Sequence, residues 1–287
     1  MTLLVKARSL LFVPADRPER YAKALASGAD VICIDLEDAL KPQAREEARK
    51  SVTDFLKSLG PAHRFGVRIN HLSNLDGLRD VLSLHAAERS PAFVVMAKTQ
   101  SAVEMQILAA LLPGVPLIAL IESIKGVEAA NSIAQAHEQV HALMFGGADL
   151  SVQLGCDLAW EPLLHARSSL VMAAAINGLA LFDMPWLNVQ DLQGAEQEAA
   201  RAAALGFSAK ALIHPLHVAP VHAGLAPTAQ ALAQAQTLGN QASYAKLTAP
   251  SAGVITGVEA EPGQVVSAGQ AVVRLAQEGP RDAVFAV

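Results

Sequence analysis

Short apolar runs alternate with longer helix-compatible stretches through most of the chain. The runs fall at residues 9–13, 31–36, 66–69, 92–97, 116–121, 142–145, 179–182 and 210–213, and most are rich in Val, Ile, Leu or Phe. Runs this continuous suit strands buried on both faces, as in a parallel sheet. Between them lie stretches that suit helices, among them 18–27, 43–59, 101–112, 126–139, 160–177 and 192–205. Eight strands alternating with helices predict an α/β chain folded as a (β/α)8 TIM barrel. A doubly wound open sheet is the rival. It would be favoured by a glycine fingerprint after the first strand, and FVPADR at 12–17 has none.

Near residue 239 the texture changes. Residues 228–238 are Ala/Gln-rich and helical in pattern, whereas 248–274 alternate Val or Ile with polar residues and are punctuated by Pro262-Gly263 and Ala268-Gly269. That predicts short antiparallel strands joined by tight turns. The expected organisation is a barrel domain over 1–238 and a β-rich segment over 239–287. About fifty residues is little to hold a core by itself.

Composition removes several function classes. With 52% hydrophobic and 17% charged residues, the chain can bury a sizeable core and is not a disordered one. A formal charge of −5 argues against a nucleic-acid binder, which usually carries a basic face. No apolar run approaches the ~18 residues of a membrane span. The apolar start is broken by Lys6 and Arg8 and leads straight into Pro14, so it reads as a first strand and not a signal peptide. Two cysteines make neither a disulfide framework nor a cysteine-rich zinc site, and a reducing cytoplasm is the expected compartment.

In a (β/α)8 barrel the chemistry sits at the C-terminal ends of the strands. The second strand ends in Asp35, Glu37 and Asp38, the third in Arg68 and Asn70, the fourth at Lys98 and the fifth at Glu122 and Ser123. The sixth ends in Gly146, Gly147, Ala148 and Asp149, the seventh at Asp183 and the eighth at His214. An acid that begins a helix is often only its cap, but Glu37, Arg68, Glu122 and Asp149 on one rim are harder to dismiss. Adjacent strands lie ~4.8 Å apart, so Glu122 and Asp149 can share one cation. Oxygen-only donors favour Mg²⁺ or Mn²⁺ over zinc. The Gly146-Gly147 pair lets backbone approach a ligand, and a helix opening near Leu150 would turn N–H groups toward an anion. Arg68 offers a fork that fits a carboxylate, with Glu37 and Asp38 as its orienting partners. Lys98 suggests a Schiff base or, more simply, an ion pair. His214 and Asp183 admit both chemical and structural readings. There is neither a nucleophile elbow nor a P-loop.

These strand ends carry a resemblance. RSLLFVP at 8–14, GADVICIDLEDA at 28–39, VRIN at 67–70, LIES at 120–123, LMFGGADL at 143–150, ARSSL at 166–170 and GFSAKALIHP at 206–215 resemble the citrate lyase beta subunit-like branch of the HpcH/HpaI aldolase family. The resemblance covers about residues 8–235. It implies a (β/α)8 barrel, usually a homo-oligomer (trimer or hexamer), that makes or breaks carbon–carbon bonds in hydroxyacyl-CoA esters of the citryl-CoA or malyl-CoA type. It also implies that Glu122 and Asp149 hold Mg²⁺ and that Arg68 binds the keto-acid half, with Gly147 and Ala148 beside Asp149 in the substrate site. Glu37 and Asp38 would support the metal waters or Arg68 as part of the catalytic group. Arg17, Lys23, Lys41 and Arg45 become candidates for the CoA phosphates.

One departure stands out. Many CoA-ester lyases of this branch carry a C-terminal lid with an Asp in a Met-Ile-Asp-x-Pro-like motif, and this chain has none. Instead LTAPSAGVIT at 247–256 and EPGQVVSAGQ at 261–270 resemble part of a periplasmic adaptor (membrane fusion) protein, the second half of a lipoyl-like barrel. The expected function is therefore a Mg²⁺-dependent lyase that cleaves a hydroxyacyl-CoA to a keto acid and acetyl-CoA. The rivals are an aldolase acting on a free 2-keto acid, either metal-dependent or through a Schiff base at Lys98, and a non-catalytic keto-acid or CoA binder. The expected partners are small molecules, with no nucleic acid and no membrane span.

Overall fold

Each of the eight apolar runs becomes a parallel strand, and the eight close into a barrel in chain order. In a computed structural model of the chain, which describes residues 3–227, 233, 253–260, 271 and 273–277, the strands are β1 (Ser9–Pro14), β2 (Val31–Asp35), β3 (Phe65–Ile69), β4 (Val94–Met96), β5 (Leu117–Ile121), β6 (Val140–Phe145), β7 (Ala180–Asp183) and β8 (Ala209–Leu212). β8 returns to β1, pairing Ala211 with Leu10. Alternate residues of each strand feed two cores. Leu10, Cys33, Phe93, Val95, Ile118 and Ala211 fill the barrel, while Leu11, Ile34, Val67, Val94 and Leu212 pack outward. This double burial is why the runs read as continuous. Inside the barrel the chain needs glycine at 66, because a Cβ there would lie 2.3 Å from the Phe93 ring.

The helices are α1 (Leu3–Lys6), α2 (Tyr21–Ala26), α3 (Arg45–Ser58), α4 (Leu75–His85), α5 (Ala102–Leu111), α6 (Ile124–Glu128), α7 (Ala130–Ala134), α8 (Gly147–Leu154), α9 (Leu164–Asn177), α10 (Leu192–Leu205) and α11 (Val218–Gly224). Polar residues start several of them. Ser101 and Glu104 form a reciprocal capping box on α5, and Asn74 and Asp191 accept N–H groups of α4 and α10.

Three expectations need correcting. The start of the chain is not all strand: residues 3–6 form a helical turn that buries Leu4. The single helix expected over 126–139 is two short ones, with Ala129 (φ −88°, ψ 0°) between them. The helix expected from residue 160 begins at Leu164. α4 and α11 had no counterpart in the pattern, since each carries a helix-breaking residue type, Gly77 and Pro220.

The chain divides into two units, Met1–Ala226 and Pro227–Val287. In the second, β9 (Gly253–Val258) pairs antiparallel with β10 (Val273–Gln277), with an irregularity between Arg274 and Leu275. This agrees with the strand alternation. The helix expected over 228–238 lies outside the described residues apart from Ala233. Among the described residues no helix is long and apolar enough to cross a membrane.

Candidate functional site

The rim at the C-terminal strand ends holds a connected set of charges. Period-two alternation points Asp35 and Arg68 the same way, and they are register partners on β2 and β3. Arg68 donates from Nε to Asp35 Oδ1 at 2.7 Å and from Nη2 to Oδ2 at 2.6 Å. Asp35 also accepts the backbone N–H groups of Glu37 (3.0 Å) and Ala39 (3.2 Å). It therefore fixes both the guanidinium and the turn that carries Glu37 and Asp38. The other edge of Arg68 lies 3.3 Å from Glu37 and 3.5 Å from Asp38, and its plane sits over Phe12 at 4.8 Å. Although burial works against it, Asp35, Glu37 and Asp38 hold the guanidinium firmly charged.

Glu37 is buried, and Asp38 is largely exposed. Burial pushes the Glu37 carboxyl up, against the pull of Arg68 and Lys98. Lys98 follows β4 with φ 56°, in the left-handed region that suits glycine. That turn aims its backbone N–H at Glu122 Oε1, 2.8 Å away. Its ammonium binds Glu37 and lies 3.8 Å from Asp38 and 3.4 Å from Asp149. Burial opposes the charge, but Glu37, Glu122 and Asp38 outweigh it and hold Lys98 above its ordinary range. A Schiff-base lysine needs the opposite, a neutral amine.

Glu122 follows β5 and is buried. Its pKa is pushed up to about 8, first by burial and then by the charges of Glu37 and Asp149. Asp149 sits in the first turn of α8, which begins at Gly147, three residues before the expected start. The opening N–H groups of this helix thus belong to Gly147, Ala148 and Asp149 beside the site, where an anion is favoured. Gly146 is needed here, because a Cβ would lie 2.4 Å from Glu122 Cβ and 2.7 Å from its Oε2. Glu122, Asp149, Gly147, Ala148, Arg68 and Asp38 all line one cavity of about 370 Å³. The chain's folding therefore brings together the expected metal pair and the expected substrate group.

The four basic candidates scatter. Arg17 and Lys41 are exposed, and Arg17 lies 4.0 Å from Asp16. Arg45 pairs with Asp76 of α4. Lys23 lines a cleft of about 320 Å³ with Arg20 and His214, and this cleft shares Phe12, Pro14 and Ile213 with the main cavity. Arg20 is thus a basic residue near the site that the sequence reading passed over. Nδ1 of His214 accepts the N–H of Leu216, which is a local turn. Asp183 is fully buried between Arg167 and Lys210 and does not line the cavity. Asp35 has its expected place at the end of the second strand, but its role as the partner that orients Arg68 appears only in the structure; the expectation gave that role to Glu37 and Asp38.

The residues fit a hard divalent cation. The donors are carboxylate oxygens, and burial together with the charges of Glu37 and Asp149 raises the pKa of Glu122, which a cation would reverse. Among the described residues no group of three or more His, Cys, Asp or Glu could hold a metal ion. A cation here would thus have two protein carboxylates and complete its shell with water and substrate, as Mg²⁺ does.

The model of the HpcH/HpaI aldolase/citrate lyase family matches residues 8–215. The chain belongs to this family. This HpcH/HpaI member is 35% identical over 243 residues to a citrate lyase subunit beta-like protein of Mycobacterium tuberculosis, covering 82% of this chain and 85% of that one. It is 30% identical over 224 residues to a (3S)-malyl-CoA thioesterase of Cereibacter sphaeroides, with 77% and 78% covered. The solved structure of CitE from Mycobacterium tuberculosis in complex with magnesium, acetoacetate and coenzyme A superposes with a TM-score of 0.72 at 33% identity, covering 92% of this chain and 94% of that one. The family match ends at residue 215, and the adaptor-like likeness of the tail rests on its sequence alone.

Proposed function

We propose that this protein is a Mg²⁺-dependent carbon–carbon lyase that cleaves a hydroxyacyl-CoA to a keto acid and acetyl-CoA. The observation that carries this reading is the buried Glu122, raised to about 8 and facing one cavity with Asp149 and Arg68. Glu122 and Asp149 are the residues that hold the ion. When bound, Mg²⁺ acts as a Lewis acid on substrate oxygen.

The chain's own residues do the rest. Arg68 binds the keto-acid half and stabilises negative charge as it develops on the hydroxyl oxygen. Asp35 keeps that guanidinium in place, and Glu37 with Lys98 ties the ends of β2 and β4 around it. The α8 N–H groups of Gly147 and Ala148 receive a carboxylate. Asp38 lines the cavity, is more than half exposed and makes only loose contacts with Arg68 and Lys98. It is the carboxylate placed to take the hydroxyl proton. The carbon–carbon bond then breaks, the hydroxyl carbon becomes the carbonyl of the 2-oxo acid, and the electron pair leaves on the acetyl-CoA enolate, which a proton quenches. Lys23 and Arg20, in the adjoining cleft, are the cations nearest to hand for the CoA phosphates.

The thioesterase relative motivates a second reading, in which water cleaves the thioester. One assay separates the two. Malyl-CoA and citryl-CoA esters are incubated with the full chain and Mg²⁺, and acetyl-CoA, keto acid and free thiol are followed together. The expected result is keto acid and acetyl-CoA in equal amounts, stopped by EDTA and by Glu122→Gln with Asp149→Asn. Free thiol with hydroxy acid and no keto acid would establish the thioesterase, and activity retained in the double variant would reject the metal reading.

A further inference from the structure

We propose that Gln153 is a positioning residue of the metal pair, which holds Asp149 at the distance from Glu122 that a small divalent cation needs. This rests on the Mg²⁺ reading and extends it to a residue that touches neither substrate nor metal.

Glu122 is fixed by its own surroundings. It is buried, and its Oε1 accepts the N–H of Lys98 at 2.8 Å. The residues that follow it are fixed as well. Ser123 caps α6 by accepting the N–H of Gly126 at 3.1 Å. A Cβ on Gly126 would lie 2.6 Å from the carbonyl oxygen of Thr99, so the first turn of α6 sits hard against the turn at Lys98. Asp149 has no such frame. Its side chain is 46% exposed, and among the described residues its charged contact is Lys98 at 3.4 Å. The place of its carboxylate is therefore set by the place of α8. That helix buries Gly147, Leu150 and Ser151 near its start, whereas Val152, Gln153 and Leu154 at its end are exposed.

Gln153 ties that end down. It follows Asp149 by four residues, so the two share a face of α8. Its Oε1 accepts the N–H of Ile124 at 2.6 Å. This N–H opens α6 and has no carbonyl partner within the helix. The bond thus joins the helix of Asp149 to the residue two places after Glu122. Gln153 lines not the substrate cavity but a second one of about 420 Å³, which shares Glu122 and Asp149 with it. Mg²⁺ takes oxygen donors at about 2.0–2.1 Å in strict octahedral geometry, and Ca²⁺ accepts about 2.3–2.6 Å in a looser shell. Two carboxylates held at one spacing favour the smaller ion, and two that can spread apart do not.

The test measures Mg²⁺ and Ca²⁺ binding to the full chain by calorimetry at one pH, with thermal unfolding alongside. Gln153→Met keeps the length and removes the amide oxygen. Ile124→Pro removes the same bond from the other side: proline suits the first helical position, and Ser123, at φ −138° and ψ 156°, suits the residue before it. Each is expected to weaken Mg²⁺ binding by roughly three- to tenfold, the span of one hydrogen bond, and Ca²⁺ binding by much less. Ile124→Ala keeps the N–H and should bind both ions as the unaltered chain does. The double variant should be no weaker than either single one, because both remove one interaction. Equal losses for the two ions, or unchanged Mg²⁺ affinity in Gln153→Met, would overturn the positioning role and leave the metal reading standing. Losses that add in the double variant would overturn the shared bond. Gln153 is exposed, so Gln153→Met decides the matter should the proline variant unfold. No Mg²⁺ binding by the unaltered chain would overturn the metal reading and this proposal with it.

Discussion

Asp35 and Arg68 exchange two parallel hydrogen bonds, 2.7 Å and 2.6 Å long, across neighbouring strands inside a closed barrel. A fork-to-fork pair of this kind sets the angle of the guanidinium as well as its position. Asp35 donates nothing and accepts four hydrogen bonds, two of them from the turn that bears Glu37 and Asp38. Asp35→Asn keeps the shape but replaces one accepting oxygen with an N–H₂ group. The expected result is a fall in kcat/KM of about 10–100-fold, the usual effect of losing an orienting partner, with Mg²⁺ affinity nearly unchanged. Calorimetry with Mg²⁺ alone beside steady-state kinetics checks it. A parallel loss of metal binding would show that Asp35 holds up the whole rim and not Arg68 in particular.

The barrel was legible because its strands are buried on both faces and its helices fill the gaps between them. Glu122, Asp149 and Arg68 were legible because polar residues that close apolar runs must emerge on the catalytic rim of this fold. Other features were hidden by long-range packing. Asp35 pairs with a residue 33 positions away, and the ammonium of Lys98 bridges the ends of three strands. The position of a basic residue in sequence does not say whether a neighbouring helix claims it, as Asp76 of α4 claims Arg45. The short α6 and α7 read as one helix because their apolar spacing runs on through the break at Ala129.

Glu122 makes the protein sensitive to pH. Its carboxyl is raised from 4.5 to about 8 in the folded chain, by burial above all. Between these values the folded state holds a proton that the unfolded state has released, so stability falls as pH rises across the window. This is the reverse of the usual behaviour of a paired carboxylate. Mg²⁺ needs the ionised form, so its stabilising effect is expected to grow with pH over the same range. Thermal unfolding from pH 5.5 to 8.5, with and without Mg²⁺, checks both signs. A Mg²⁺ increment independent of pH would separate Glu122 from the metal.

Gly146→Ala is expected to damage the proposed metal site. The backbone at 146 has φ −108°, which any residue adopts, but the new methyl would lie 2.4 Å from Glu122 Cβ and 2.7 Å from its Oε2. Glu122 must move to make room. Loss of Mg²⁺ binding by at least tenfold, with circular dichroism unchanged, is the expected outcome.

Lys98→Gly separates two roles of a single residue. Glycine relieves the left-handed backbone at φ 56° and preserves the N–H that Glu122 accepts. The side chain is lost, and with it the ammonium beside Glu37, Asp38 and Asp149. With that competing positive charge removed, Mg²⁺ is expected to bind severalfold more tightly. Borohydride treatment of the unaltered protein with keto acid should trap no adduct, because Lys98 is held protonated. Weaker Mg²⁺ binding in the variant would show that the ammonium shapes the site instead of competing for it.

Asp183 tests the scaffold beneath the site. It is fully buried, with Arg167 Nε at 3.1 Å and Lys210 Nζ at 2.7 Å. Lys210 keeps Glu198 at 2.6 Å when Asp183 is removed. Among the described residues, Arg167 would be left with the faces of Phe145 and Trp160, 4.7 Å and 4.3 Å away, for compensation. Asp183→Ala thus strands a buried guanidinium, and a loss of roughly 3–5 kcal/mol in folding free energy is expected. Asp183→Asn keeps an acceptor oxygen, so it should lose less. Urea unfolding of both variants gives the comparison. Equal midpoints for the two would mean that charge compensation, and not hydrogen bonding, decides the cost at this position.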